Sequence, residues 1–468
     1  MQKVFVIIVF SAIHIVTPKI AYCQNLLPDS VVQELKKGVA GFRDRFHSPG
    51  IVVAIVHDKS IIFSDALGYT DIENKVPATI DSKFPILSVT KTFTATMFMQ
   101  LVERKKISLV DDVARYVPEY RSNADAAGKR YVTLLQLATH TSGLPRNSPA
   151  DINFTKQVDK WMFARSKDTT ITPAGKKEFL QSLRYVQKEY PVYELLSYGD
   201  RHYSNMGYSL LGIALERAAK TDYAKYVVSE ICKPLKMNSS GFDTEVGVHT
   251  KLANGYRYND SARDFMKTPV FESESALYAG GMYSTAKDLA KFISFQFDES
   301  TEADKVLSKE NRTMMQTFRI GWKPAYPFVL HEGAMLGYRC QLAFSPDIKV
   351  GWVILTNTTD FEFSGMNNYI SKLLLPVFAR KSVTDLHQYT GIYQLEGGYG
   401  SLEISLKNDT LYSSYLQNVF GESQLTPTGK NQFKGATNGK YSIGYEFLDN
   451  DNGEIKTLNL GQLMWIKR

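Results

Sequence analysis

Two β-rich runs stand at opposite ends of a largely helical stretch, and they constrain the fold more than any other feature. "GIVVAIVHDKSIIFSDALGY" (residues 50–69) and "YRCQLAFSPDIKVGWVILTN" (residues 338–357) each hold two apolar segments around a turn-like break, "HDKS" in one and "SPDIK" in the other. Both read as hairpins. Strands flanking a helical middle predict an α+β layered domain, in which the two chain ends supply one antiparallel sheet and helices cover it. The intervening and flanking helices follow from 3.6-residue spacing. They include "PDSVVQELKKGVAGFRDRF", with Asp29 or Ser30 as the expected cap, "YVTLLQLATHTSGLP", "YSNMGYSLLGIALERAAK", "DYAKYVVSEICKPLKM" and the closing "GMNNYISKLLLPVFAR". Residues 147–198 are polar and irregular in pattern, so they read as an insertion or lid. Past Lys381 the helical period stops and short strands alternate with glycine or Asn-Asp turns. This predicts a large α+β domain over 24–380 and a separate small β-barrel-like domain over 381–468.

The first 23 residues read differently. Lys3 precedes an apolar stretch from Val4 to Val16, then a polar patch and a small residue at Ala21. That stretch is short for a bilayer span and fits a signal peptide, so the chain is expected to be exported, periplasmic or secreted. Cys23 is a poor lipidation site because Tyr22 stands where a small residue is required. Membrane attachment is expected only if Cys23 were lipidated. Loss of Lys3 and Lys19 with the leader brings the formal charge from +7 to +5. So mild an excess, with no basic run interleaved with aromatics, argues against nucleic acid as a partner. Beyond Cys23 only Cys232 and Cys340 remain; two cysteines form neither a metal cluster nor a disulfide framework, and their pairing is open.

The chemistry turns on "FPILSVTKTFTATMFMQ", where Ser88 stands three residues before Lys91 at the head of an apolar helical run. On a helix, positions i and i+3 lie on one face about 5–6 Å apart, so an amine there reaches a serine hydroxyl. The helix N-terminus adds partial positive charge and free N–H groups that can meet an oxyanion. An ordinary lysine, with a pKa near 10.4, is the wrong base at neutral pH. Bringing it to about 7–8 disfavours the cation by about 4 kcal/mol, which burial and a second cation can supply. A neighbouring tyrosine could take the base role instead. Ser-x-x-Lys also occurs at Ser284/Lys287 in "MYSTAKDLAKF", where helix capping accounts for the serine.

Two further segments separate the pairs. "RHYSNMGYSLLG" contains the only Tyr-x-Asn of the chain, Tyr203-Ser204-Asn205, although a Ser or Asn there also suits a helix cap. "LHEGAMLGY" places His331 and Gly333 two apart at the end of an apolar run; a glycine there lets substrate lie close to a strand edge, and His331 offers a donor or a charge. Lys349-Val350-Gly351 has similar spacing but falls just after the "SPDIK" turn, on an outer hairpin.

"SVTK", "YSN" and "HEG", in this order and with these separations, resemble the three motifs of serine β-lactamases and penicillin-binding proteins. The Tyr-x-Asn form is similar to the class C branch. A histidine in the third motif is similar to soluble D-alanyl-D-alanine carboxypeptidases, D-aminopeptidases and related esterases. "LATHTSGLP", "AGGMYSTAKDLAKF" and "SPDIKVGWVILTN" extend the resemblance over roughly residues 30 to 378. The resemblance implies a serine hydrolase acting through an acyl-enzyme on a D-amino-acid peptide, an ester or a β-lactam, which the leader would send out of the cell; with no metal-ligand cluster and no dinucleotide-binding signature in the sequence, no metal and no cofactor are expected. Its alternative is a penicillin-binding or peptidoglycan-sensing module that acylates with little turnover. It further implies catalytic Ser88, Lys91 and Tyr203, an oxyanion hole from the N–H groups of Ser88 and Ala334, and substrate binding by Asn205, His331 and Gly333. The usual third-motif lysine is missing, and with it one fixed positive charge, which predicts weaker β-lactamase activity than in the lysine-bearing enzymes, and Glu332 can either pair with His331 or point away. "LHQYTGIYQLEGG" resembles the lipocalin-like appendages of such hydrolases, whose aromatics here (Tyr393, Tyr399, Tyr412, Tyr415) read as packing.

Overall fold

The computed structural model describes residues 26–121, 131–163, 171–186, 203–243, 251–269, 274–325, 327–378, 385–395, 401–415, 422–429, 431–437, 441–450, 453–460 and 463–468. The leader with Cys23, the parts of 147–198 at 164–170 and 187–198, and Tyr399 lie outside the described residues.

The two hairpins meet in one antiparallel sheet of seven strands. Its order is Val76–Pro77, Ser60–Asp71, Gly50–His57, Val350–Thr356, Tyr338–Ser345, Phe328–Met335 and Lys323–Ala325. The central pair runs in register from Ile51 opposite Thr356 to His57 opposite Val350. Both strands are apolar at nearly every position, not at alternate ones, because the sheet is covered on both faces. Val52, Ala54, Val56, Val353 and Leu355 face the helical body. Ile51, Val53, Ile55, Trp352 and Ile354 face a second layer made by the N-terminal and closing helices, Asp29–Arg45 and Phe363–Phe378. At roughly 1.5–3 kcal/mol per fully buried aliphatic or aromatic side chain, these two layers hold the domain together.

Two capping expectations are corrected. The N-terminal helix starts at Asp29 behind Pro28 with no side-chain cap, so neither Asp29 nor Ser30 has that role. Ser284 is the last residue of the strand Met282–Ser284; Thr285 caps the following helix Ala286–Phe297 by accepting from the Asp288 N–H. Ser284 Oγ lies instead 2.7 Å from Ser240 Oγ in the interior.

The helix Thr90–Glu103 is buried from Thr90 to Leu101, which makes it a core element with no solvent face. Its threonines are accommodated by back-bonding: Thr92 Oγ1 donates to the Val89 carbonyl at 2.8 Å and Thr96 Oγ1 to the Thr92 carbonyl at 2.8 Å. Cys232 and Cys340 are both buried and free, so the two do not pair.

From Gly391 to Lys467 eight strands close into an up-and-down barrel in sequential order. Its interior is filled by Tyr393, Leu402, Ile404, Phe433, Phe447, Trp465 and their neighbours, so Tyr393 is packing and not a ligand contact. Tyr393 donates its hydroxyl to the Tyr389 carbonyl at 2.8 Å. Tyr412 is half-buried on the strand Thr410–Tyr415.

Candidate active site

Ser88 sits in a single 3-10 turn, Leu87–Val89, between the short strand Phe84–Pro85 and the helix Thr90–Glu103. It caps neither the turn nor the helix, since neither has a side-chain cap bond at its N-terminus. The hydroxyl is thus available for other work. Leu87 adopts φ 51°, a left-handed conformation that costs a bulky residue about 1–2 kcal/mol. The bend turns the chain sharply just before the serine.

Lys91 is completely buried beneath it. Its Nζ lies 3.1 Å from Ser88 Oγ, 2.9 Å from Asn205 Oδ1 and 2.8 Å from the Ala279 carbonyl. Burial holds its pKa well below the usual lysine value, and the charges of Arg146 and Lys323 press it further in the same direction. A neutral amine has two N–H groups and one lone pair. In that form, with Asn205 Oδ1 and the Ala279 carbonyl taking the two N–H groups, the lone pair is free to accept the Ser88 hydroxyl proton.

Tyr203 is shifted the opposite way. Burial pushes its phenol up to about 12, against the lowering effect of a hydrogen bond with Ser88 and of the Arg146 charge. Its ring lies 4.4 Å, centroid to centroid, from His140, whose Nδ1 accepts the N–H of Ser204 at 3.1 Å. Ser204 is the N-cap of the helix Asn205–Ala219, accepting from the Gly207 N–H at 2.8 Å. Capping by Ser204 frees Asn205, the first helical residue, to reach Lys91. The Asn205 amide is engaged at both ends, because Nδ2 donates to Asn147 Oδ1 at 3.1 Å.

The third segment lies on the strand Phe328–Met335. Its pairing with Lys323–Ala325 ends at Leu330, so the outer edge from His331 to Met335 lies open beside the serine turn. Ala334 is exposed on this edge, opposite Arg339 of the inner neighbour strand. His331 is buried; its Nδ1 is 3.0 Å from the Glu332 carbonyl oxygen and its ring centroid 6.5 Å from that of Tyr203. Burial, and then the charges of Lys323 and Lys91, keep its pKa well below the ordinary histidine value, so His331 is neutral. Glu332 points to the other face of the sheet, where Oε1 accepts from Gln341 Nε2 at 2.8 Å. It does not pair with His331.

Gly333 has a structural reason that spacing does not show. A Cβ there would stand 2.4 Å from the Ile86 carbonyl oxygen, 2.5 Å from Cys340 Sγ and 2.9 Å from Leu87 Cβ. The close neighbour is the chain's own serine turn. Lys349 lies in its hairpin turn and pairs with Glu299 at 3.6 Å, outside the site.

The fold thus gathers Ser88, Lys91, Tyr203, Asn205 and His331 at one place. It adds His140, Asn147, Arg146 and Lys323, which sequence reasoning missed. The first three fall in or just after "LATHTSGLPRN" but at no spacing that marks a role, and Lys323 belongs to no motif. From outside the third motif, Lys323 Nζ stands 5.3 Å from the Tyr203 ring centroid. Among the described residues no group of three or more His, Cys, Asp or Glu side chains could hold a metal ion.

A doubly covered antiparallel sheet with a Ser-x-x-Lys turn beside an open edge strand is the architecture of the serine β-lactamase and transpeptidase class. The chain belongs to the Beta-lactamase family, whose model matches residues 33–375. It is 30% identical over 345 residues to Beta-lactamase-like protein 2 of Dictyostelium discoideum, a match covering 70% of this chain and 59% of that one. The chain therefore spans about three fifths of that relative's length. Among solved structures it is similar to the octameric penicillin-binding protein homologue from Pyrococcus abyssi, with a TM-score of 0.61, 24% identity and coverage of 93% of this chain and 100% of the other. It is also similar to SurE, at a TM-score of 0.57, 18% identity and 94% and 98% coverage.

Proposed function

We propose that the protein is an exported serine hydrolase that works through an acyl-enzyme on a D-amino-acid peptide or an ester, with β-lactams as poorer substrates. The observation that carries this reading is that two groups with opposed displacements flank one serine: Lys91 Nζ lies 3.1 Å from Ser88 Oγ with burial lowering its pKa toward the neutral amine, while burial raises the Tyr203 phenol. Pairs of titratable groups pushed apart by their surroundings take the base and acid roles. Ser88 Oγ attacks the acyl carbon as Lys91 Nζ takes its proton. The oxyanion lies between the N–H groups of Ser88 and Ala334, each such donor being worth about 2.7–4 kcal/mol where one has been removed. As the tetrahedral adduct collapses, Tyr203 gives its proton to the leaving heteroatom and recovers one from the Lys91 ammonium. Water then cleaves the Ser88 ester by the same route in reverse.

Three points support the finer parts of this reading. The Lys3-led apolar N-terminus favours export. His331 in place of the third-motif lysine favours peptides and esters over β-lactams. SurE has also been solved with D-Leu, in a structure similar to this chain at a TM-score of 0.53 and 18% identity; that supports a D-configured group in the substrate.

The test is intact-protein mass spectrometry after exposure to a fluorophosphonate and, separately, to a penicillin. Wild type, Ser88→Ala and Ser284→Ala are run together. Adducts lost only in Ser88→Ala support the reading, and rapid disappearance of the penicillin adduct marks hydrolysis. A penicillin adduct that persists would replace it with the slow-turnover binding module. Absence of any adduct on folded protein would refute it.

A further inference from the structure

His140 stands between two tyrosines, and the acyl-transfer scheme gives it no step. Its ring centroid lies 4.4 Å from that of Tyr203 and 5.0 Å from that of Tyr208. His331 comes less close to Tyr203, at 6.5 Å. Tyr208 is a fixed wall: it is fully buried on the helix Asn205–Ala219, and its hydroxyl donates to the Ala138 carbonyl at 2.6 Å. Nδ1 of His140 accepts the Ser204 N–H at 3.1 Å, so the imidazole is neutral and carries its proton on Nε2. One side chain therefore packs on the Tyr203 ring and also holds the main chain of the next residue. The backbone is arranged to present it. His140 adopts φ 58°, two residues past the helix Leu134–Ala138, in a left-handed region that few non-glycine residues enter, histidine and asparagine more than most. The bend is braced by Thr139 Oγ1, 2.9 Å from Thr141 Oγ1, and by the Thr141 N–H, which donates to the Gln136 carbonyl at 2.9 Å. A glycine would meet the demand of that turn without strain, so the turn by itself does not call for an imidazole.

We propose that His140 is a positioning residue for Tyr203: it sets where the phenol hydroxyl lies against Ser88, and through that it controls proton delivery to the leaving heteroatom. The inference rests on the reading of Tyr203 as the acid only for that last consequence; the placement of the ring stands on the contacts alone. The hydroxyl is the far end of a lever with two torsions, so a small rotation of the ring moves it a long way. Packing on the imidazole restrains the ring, and the bond to the Ser204 N–H restrains the backbone from which it springs. A general acid works only within hydrogen-bond reach of the atom it protonates. Its misplacement therefore slows substrates whose leaving atom needs a proton and spares those whose leaving group departs as a stable anion. A site that was merely loosened would lose rate on both.

The experiment sets ethyl butyrate, whose leaving oxygen needs a proton, against 4-nitrophenyl butyrate, whose leaving oxygen departs as a stabilised anion. Wild type, His140→Gly, His140→Asn, Tyr203→Phe and the His140→Gly/Tyr203→Phe protein are compared in kcat/KM. Glycine suits the left-handed turn and removes both contacts; asparagine suits it too and keeps an acceptor at the reach of Nδ1. His140→Gly is expected to lose at least about tenfold more on the ethyl ester than on the nitrophenyl ester, within the roughly 100-fold that a misplacement of about 1 Å brings. His140→Asn is expected to recover part of that difference. Once Tyr203 is phenylalanine, His140→Gly is expected to cost little more, because the two act as one unit. In protein isotopically labelled at the tyrosine Cζ carbon, the magnetic resonance signal absent from Tyr203→Phe is expected to shift or broaden in His140→Gly. An unmoved Tyr203 signal overturns the proposal, as do additive losses in the double variant. So does an equal loss on both esters in His140→Gly while Tyr203→Phe discriminates between them. A moved signal together with a Tyr203→Phe protein that treats both esters alike would keep the positioning and refute the acid role of Tyr203. A moved signal in protein that turns over neither ester and takes no fluorophosphonate would keep the positioning and refute the hydrolase reading.

Discussion

The α-carbon of Gly333 is packed so tightly under the turn that carries Ser88 that a methyl group on it would lie 2.4 Å from the carbonyl oxygen of Ile86. The edge strand and the serine turn are thereby held close together, and the proposed oxyanion hole between Ser88 and Ala334 depends on that close approach. Gly333→Ala is expected to push the two apart. Overpacking of this kind costs about 1–3 kcal/mol in stability, and misplacement of about 1 Å costs on the order of 100-fold in rate. Thermal denaturation and the rate of fluorophosphonate labelling read the two effects; a variant with wild-type values for both would show that the spacing is not needed.

Lys91 should govern the pH profile of acylation. Its pKa is lowered in the folded protein, so the neutral amine persists well below pH 10.4, and the labelling rate rises as pH climbs through the folded value. Between the folded and unfolded values the unfolded chain holds one proton more than the native chain. Stability therefore rises with pH across that window, by up to about 1.4 kcal/mol per unit. Lys91→Met is expected to slow labelling by about 100- to 10,000-fold and to flatten this part of the stability profile. A rising limb centred near pH 10.4 in wild type would contradict the assignment.

His331 makes the acid side sensitive. Its folded pKa is also depressed, so its contribution is complete above the ordinary value near 6.5 and declines as pH falls toward the folded value. Urea denaturation of wild type and His331→Gln between pH 4 and 8 (roughly the range over which an ordinary histidine titrates) measures this. The wild type is expected to lose stability more steeply below about pH 6.5. Parallel curves would mean that His331 is not the group responsible.

Glu332 contacts Gln341 on the face of the sheet away from His331. Glu332→Gln keeps an oxygen for that contact and is expected to leave kcat/KM on a neutral ester within about twofold of wild type, as for a substitution outside the reacting groups. A drop of tenfold or more would put Glu332 in the reaction.

The layered α+β body was legible because two apolar hairpins flanking amphipathic helices leave few other packings. The spacing of Ser88 and Lys91 was equally legible, since i and i+3 on one turn are neighbours whatever surrounds them. Capping was less so. At Ser30 and Ser284 a polar residue at a helix start pointed to a cap, yet Pro28 and Thr285 stand at the N-cap positions, because the direction of the incoming chain decides which residue lies there. The packing reason for Gly333 was not legible for the same kind of reason: the atoms that exclude a side chain, on Ile86 and Leu87, are far away in the chain.

What the sequence determined by itself was local and periodic: the elements, the two domains, and the reach of Lys91 to Ser88 within one helical turn. Only the tertiary structure decided how that pair is tuned. Burial of Lys91, the turning away of Glu332, and the approach of Arg146 and Lys323 to Tyr203 join segments separated by long stretches of chain. Electrostatic energy depends on distance and on exclusion of water, and neither quantity is set until the sheet closes and brings those segments together.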